Sequence, residues 1–143
     1  MLINGRCHCG NIAFALTWRP EPASIPARAC SCSFCTRHGA VWTACPDGSL
    51  QVAIADAARV SRYAFETRTA DFLVCATCGV APAATSRIDD RLYAVVNVNT
   101  FEGVAPALLA RAPAHFGAES ESERLARRRR NWIGDVRVAE SFA

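Results

Sequence analysis

Apolar residues recur at every second position through much of the first hundred residues. In NIAFALT, residues 11–17, Ile12, Phe14 and Leu16 alternate with smaller neighbours, the period of a strand with one buried face. GAVWTAC (39–45), SLQVAIA (49–55), RVSRYAFE (59–66), DFLVC (71–75), PAATS (82–86) and RLYAVVNVN (91–99) are further strand candidates. Between them stand Pro46-Asp47-Gly48, Asp56-Ala57-Ala58, Gly79 and Asp89-Asp90, all turn-forming. Short strands with such close punctuation predict a mainly β architecture.

The pattern changes at SESERLARRRRNW, residues 120–132, where acidic residues precede a leucine and a run of arginines. This charge order complements a helix dipole at both ends and predicts one short C-terminal helix. Five arginines, Arg124 and Arg127 to Arg130, wrap around such a helix without all sharing a face. The run therefore reads as a solvated surface rather than a grip on nucleic acid. The proline-containing RPEPASIPAR, residues 19–28, reads as the longest loop. No repeat or low-complexity linker divides the chain, so residues 1–143 are expected to form a single domain.

Composition narrows the chemistry. Half the 143 residues are apolar and a fifth are charged, a globular balance. All 16 basic residues are arginine, which excludes a lysine Schiff base or lysine general base. The N-terminus has neither a basic leader nor an uninterrupted apolar stretch, and no segment approaches the roughly 18 apolar residues of a membrane span. A cytoplasmic protein with no membrane partner is the expectation. In that reducing setting, eight cysteines point to metal ligands or reactive thiols rather than disulfides.

Seven of the eight fall into three groups: Cys7-His8-Cys9-Gly10, Cys30-Ser31-Cys32-Ser33-Phe34-Cys35 and Cys75-Ala76-Thr77-Cys78-Gly79. A close cysteine pair followed by glycine suits a zinc knuckle, because the glycine can take a backbone conformation that lets both sulfurs face one ion. Cys7 with Cys9 and Cys75 with Cys78 would be two halves of a closed structural site of four thiolates, the alternative being buried core cysteines. The central trio offers only three of zinc's usual four ligands, leaving one position for water or substrate, as in catalytic sites. His38, three residues beyond Cys35, is a candidate fourth ligand that would close that site. Cys45, in an apolar run, reads as a buried small residue, and His8 and His115 read as structural. Seven thiolates around two divalent ions would cancel the formal charge of +3, so the basic excess says little about partners.

Taken together, CHCGNI, CSCSFCTRHGA and FLVCATCG, in this order, resemble the glutathione-dependent formaldehyde-activating enzyme family, also called the GFA or CENP-V family. The likeness spans about residues 3 to 100. It implies antiparallel β-sheets of the β-tent type holding two zinc ions, a structural one on Cys7, Cys9, Cys75 and Cys78 and a catalytic one on Cys30, Cys32 and Cys35; a site of only three thiolates is expected to hold its ion more loosely. It further implies carbon–sulfur lyase activity joining glutathione and formaldehyde. Ser31 stands where many relatives have histidine.

The resulting expectation is a zinc-dependent lyase acting on a glutathione-type thiol and a small aldehyde. His38 or water would protonate the product alkoxide, and Arg37 would pair with a glutathione carboxylate. The alternative is a non-catalytic, zinc-stabilised module that binds a thiol or a protein. An exposed apolar patch without a cavity over the central trio, or a fourth protein ligand, would favour it.

Overall fold

The computed structural model describes residues 1–141. Strands β1 (Leu2–Arg6), β2 (Ile12–Thr17) and β3 (Ile25–Cys30) lead into a short helix α1 (Ser33–His38). Then follow β4 (Val41–Thr43), β5 (Ser49–Ile54), β6 (Val60–Tyr63), β7 (Asp71–Cys75), β8 (Ala83–Ile88), β9 (Arg91–Asn97), β10 (Phe101–Glu102) and β11 (Leu109–Ala114). Helix α2 (Glu121–Asn131) and strand β12 (Val136–Glu140) complete the order.

Two sheets share one core. The smaller runs β10-β1-β2-β5-β12 and the larger β11-β3-β4-β9-β8-β7-β6. Alternation does what the sequence pattern predicts: Ile12, Phe14 and Leu16 of β2, and Leu50, Val52 and Ile54 of β5, are all buried in the common cluster. On the larger sheet Ile25, Leu73, Ala94 and Val96 face the same interior.

Both sheets are mixed rather than purely antiparallel, because β11 pairs parallel to β3 and β12 parallel to β5. These are long-range edge pairings with no local hairpin signal. The first corrects the reading of residues 19–28 as loop: from Ile25 onward they are strand, with Ile25 and Ala27 buried and Leu109–Ala114 alongside.

Gly5 is opposite Phe14 in the β1–β2 register, and the Phe14 ring covers it. A Cβ at Gly5 would stand 2.2 Å from the ring. Phe14 is buried and packs edge-on against Phe101 at 6.1 Å between centroids, which limits its retreat. Gly5→Ala is therefore expected to cost about 1–3 kcal/mol, the usual penalty of overpacking, read as a lowered denaturant midpoint with unchanged slope.

The predicted C-terminal helix is present and carries a full capping box. The Ser120 hydroxyl accepts from Glu123 N–H, and the Glu123 carboxylate accepts from Ser120 N–H, both at 3.2 Å. Its far end is tied to both sheets. Ile133 exchanges two backbone hydrogen bonds with Ala94 of β9, and β12 then runs in register along β5. Among the described residues no helix is long and apolar enough to cross a membrane.

Candidate metal centres and the cavity

The first thiol group forms where β1 and β7 end, so it links the two sheets. The Sγ atoms of Cys7, Cys9, Cys75 and Cys78 all lie within 4.8 Å of one another. Cys9 is 3.8 Å from Cys7 and 3.5 Å from Cys75, sulfur to sulfur. A tetrahedron of Zn–S bonds of roughly 2.3 Å has sulfurs about 3.8 Å apart, so the donor set fits a zinc ion.

Each half closes in the same way. Gly10 N–H donates to Cys7 O at 3.1 Å and Gly79 N–H to Cys75 O at 2.8 Å, with φ of 86° and 80° at the two glycines, the conformation their lack of Cβ permits. Backbone N–H groups of Ile12 and Cys78 point at Cys7 Sγ and Cys75 Sγ. Burial pushes the Cys7 thiol up to about 11. Burial opposes the fall of Cys78, yet hydrogen bonding, led by the Cys9 and Val80 backbone, draws it down to about 6.

The central trio is also brought together: Cys30, Cys32 and Cys35 place their sulfurs within 4.8 Å of one another. They do not sit on one loop. Cys30 ends β3, Cys32 is the N-cap of α1, its sulfur accepting from Cys35 N–H at 3.3 Å, and Cys35 lies within the helix. Trp42 of β4 donates its indole N–H to Cys35 Sγ at 3.3 Å. The Cys35 thiol donating to Cys30 is the main cause that lowers Cys30 to about 5, with Arg127 adding a smaller electrostatic pull; Cys35, as donor and buried, is raised.

All three central cysteines line a cavity of about 330 Å³, whereas none of Cys7, Cys9, Cys75 and Cys78 does. Trp42, Phe65 and Phe72 form an aromatic wall, with Phe65 and Phe72 stacked at 5.6 Å. Buried Thr43 also lines it, and its hydroxyl has no partner among the described residues.

The remaining wall is α2, which corrects the reading of its arginines as a solvated run. Arg124, Arg127 and Arg128 stand at i, i+3 and i+4 and line the cavity together, with Arg128 only 7% exposed. Arg129 and Arg130 face outward, and Arg129 pairs with Asp89 at 2.9 Å. Arg127 forms a two-pronged pair with Glu119 at 2.8 and 3.1 Å and lies over the Phe116 ring at 3.7 Å. Arg124 stands between Glu66, at 3.6 Å, and Glu119, at 3.8 Å.

Arg128 Nη1 donates only to the hydroxyls of Thr69 and Ser86, at 2.8 and 3.1 Å, and its Nε–H has no acceptor. Burial, with Arg127 and Arg124 nearby, lowers Arg128 to about 10. Arg28 of β3, two residues before Cys30 and so on the same face of the strand, lines the cavity too.

Two sequence candidates fall elsewhere. The turn of α1 directs Arg37 and His38 away from the trio: Arg37 is exposed and donates to Ser33 O at 3.0 Å, and His38 is exposed against the Phe34 ring at 4.3 Å. Neither lines the cavity nor joins the thiol group, so the roles expected of them in substrate contact, protonation and ligation have no support here. His8 and His115 are exposed, while Cys45 is buried and donates to Arg19 O at 3.0 Å.

The residues the sequence reading missed are Arg28, Thr43 and the α2 arginines. The signals available were the two-residue step from Arg28 to Cys30 and the i, i+3, i+4 spacing inside the arginine run.

The model of the glutathione-dependent formaldehyde-activating enzyme family matches residues 2–115, ending before α2. Among solved structures, the crystal structure of a Rhodobacter sphaeroides protein is similar with a TM-score of 0.60 and 34% identity, over 79% of this chain and 99% of that one. No curated protein matches.

Proposed function

Because this chain belongs to the glutathione-dependent formaldehyde-activating enzyme family, we propose that it is a zinc-dependent carbon–sulfur lyase joining a glutathione-type thiol to a small aldehyde. The observation that carries this reading is the contrast between its thiol groups: four close on themselves away from the cavity, and three stand in its wall. Cys7, Cys9, Cys75 and Cys78 would hold a structural zinc, and Cys30, Cys32 and Cys35 a second. When bound to three thiolates, the second ion would supply a coordination position that acidifies an incoming thiol.

The chain's own residues then bind and orient. Cys35 is set by the Trp42 indole and Cys32 by the α1 N-terminus, so the trio is preorganised by N–H···S contacts. Trp42, Phe65 and Phe72 exclude water from one side of the reacting atoms. As the substrate sulfur bonds to the carbonyl carbon, the C=O π pair moves onto oxygen. That oxygen takes up a proton to replace the one the thiol released, and with His38 outside the cavity, water is the donor.

The non-catalytic alternative called for an apolar patch without a cavity, or a fourth ligand. A cavity is present, and among the described residues no fourth histidine, cysteine or carboxylate joins the trio.

The test is exchange NMR of glutathione with formaldehyde, with and without the zinc-loaded protein. Faster formation of S-hydroxymethylglutathione is expected. A rate equal to that of buffer would remove the lyase assignment.

A further inference from the structure

The cavity holds more positive charge than its own residues neutralise. Four guanidinium groups, from Arg28, Arg124, Arg127 and Arg128, line it with one carboxylate, Glu66, and a second carboxylate, Glu119, pairs with Arg124 and Arg127 from outside the lining. Three thiolates around a divalent ion would add one further negative charge, which still leaves one cation in excess.

The excess has a definite place. Glu119 is committed to Arg127, and Arg124 lies between the two glutamates. Arg128, nine-tenths buried, lies over the Trp132 ring at 4.9 Å, donates only to neutral hydroxyls and has a buried Nε–H without an acceptor, and Arg28 has no ion-pair partner among the described residues. A buried guanidinium without a counter-ion is costly and is ordinarily paired. Here the missing partner is one that the cavity can admit.

We infer that Arg128, supported by Arg28, reads a carboxylate on the substrate thiol, so that the site selects acidic thiols over neutral ones. This rests on the proposal that the Cys30–Cys32–Cys35 group receives a thiol. The planar guanidinium fork suits a carboxylate, and a cavity of about 330 Å³ suits a small peptide thiol rather than one bearing a nucleotide. The principal carboxylate contact therefore lies on α2, outside the segment matched by the family model, with Arg28 inside that segment in support.

The test is calorimetric titration of the zinc-loaded full chain with glutathione and with its diethyl ester, which keeps the thiol and loses both carboxylates. In the wild type the ester is expected to bind at least tenfold more weakly. In Arg128→Gln glutathione weakens towards the ester, and the difference shrinks to about threefold or less. Arg28→Gln, at a half-buried position, is expected to shrink it in part and decides the matter if Arg128→Gln does not fold.

Equal binding of acid and ester by the wild type, no binding of either, or an unchanged difference in every folded variant would overturn the inference. A retained carboxylate preference with no formaldehyde turnover would instead count against the lyase reading alone. Turnover that does not distinguish acid from ester would count against Arg128 alone.

Discussion

Cys75→Ser is expected to yield a chain that no longer folds cooperatively and retains little tightly bound metal. Cys75 is 1% exposed at the end of β7, and its sulfur is 3.5 Å from that of Cys9, which follows β1. These strands belong to different sheets, so an ion held by the four thiols would cross-link the two halves of the core. Structural zinc contributes roughly 10–16 kcal/mol in small zinc-folded peptides, against a net stability of about 5–15 kcal/mol for a whole domain. Weakening that site removes a share comparable to the entire margin. Circular dichroism melting together with zinc analysis checks this; a variant that melts like the wild type would show that the cluster does not hold the fold.

Cys32→Ala is expected to do the opposite: it should lose one zinc of two, keep the fold and abolish turnover. Cys32 is half-buried at the start of α1, and its removal leaves the core strands untouched. The structural cost is the lost cap on Cys35 N–H, of order 1 kcal/mol, or a few degrees in melting temperature. The chemical cost is far larger. Two thiols cannot hold the second ion as three do, and loss of several kcal/mol of charge stabilisation lowers the rate by roughly 10²–10⁴-fold. Loss of both metal ions with unfolding would contradict the division between the two clusters.

The cysteines were legible before any coordinates because their chemistry is local. Gly10 and Gly79 stand where a knuckle needs a positive φ, and the C-x-C-x-x-C spacing needs only a strand end and one helical turn to converge. Strand alternation in β2 and β5 is equally plain, and β9 shows instead as a continuous apolar run. What failed was long-range. Residues 25–28 are strand because 109–114 lie along one side of them and β4 pairs at Arg28 on the other, and LARAPA has no alternation to advertise it.

The arginine run misled for a related reason. Charge at i, i+3 and i+4 reads as a wet surface unless one knows that a deep cavity faces it. Arg37 and His38, for all their nearness in sequence to Cys35, stand on the outer side of α1.

The parallel pairing of β12 with β5 has a practical consequence. Cutting the chain at the boundary of the family match would take away more than the arginine wall: it would strip a whole row of backbone donors and acceptors from Leu50 to Ile54 of their cover. A trimmed version should therefore self-associate edge to edge, so the appendage that shapes the cavity also serves as the molecule's guard against aggregation.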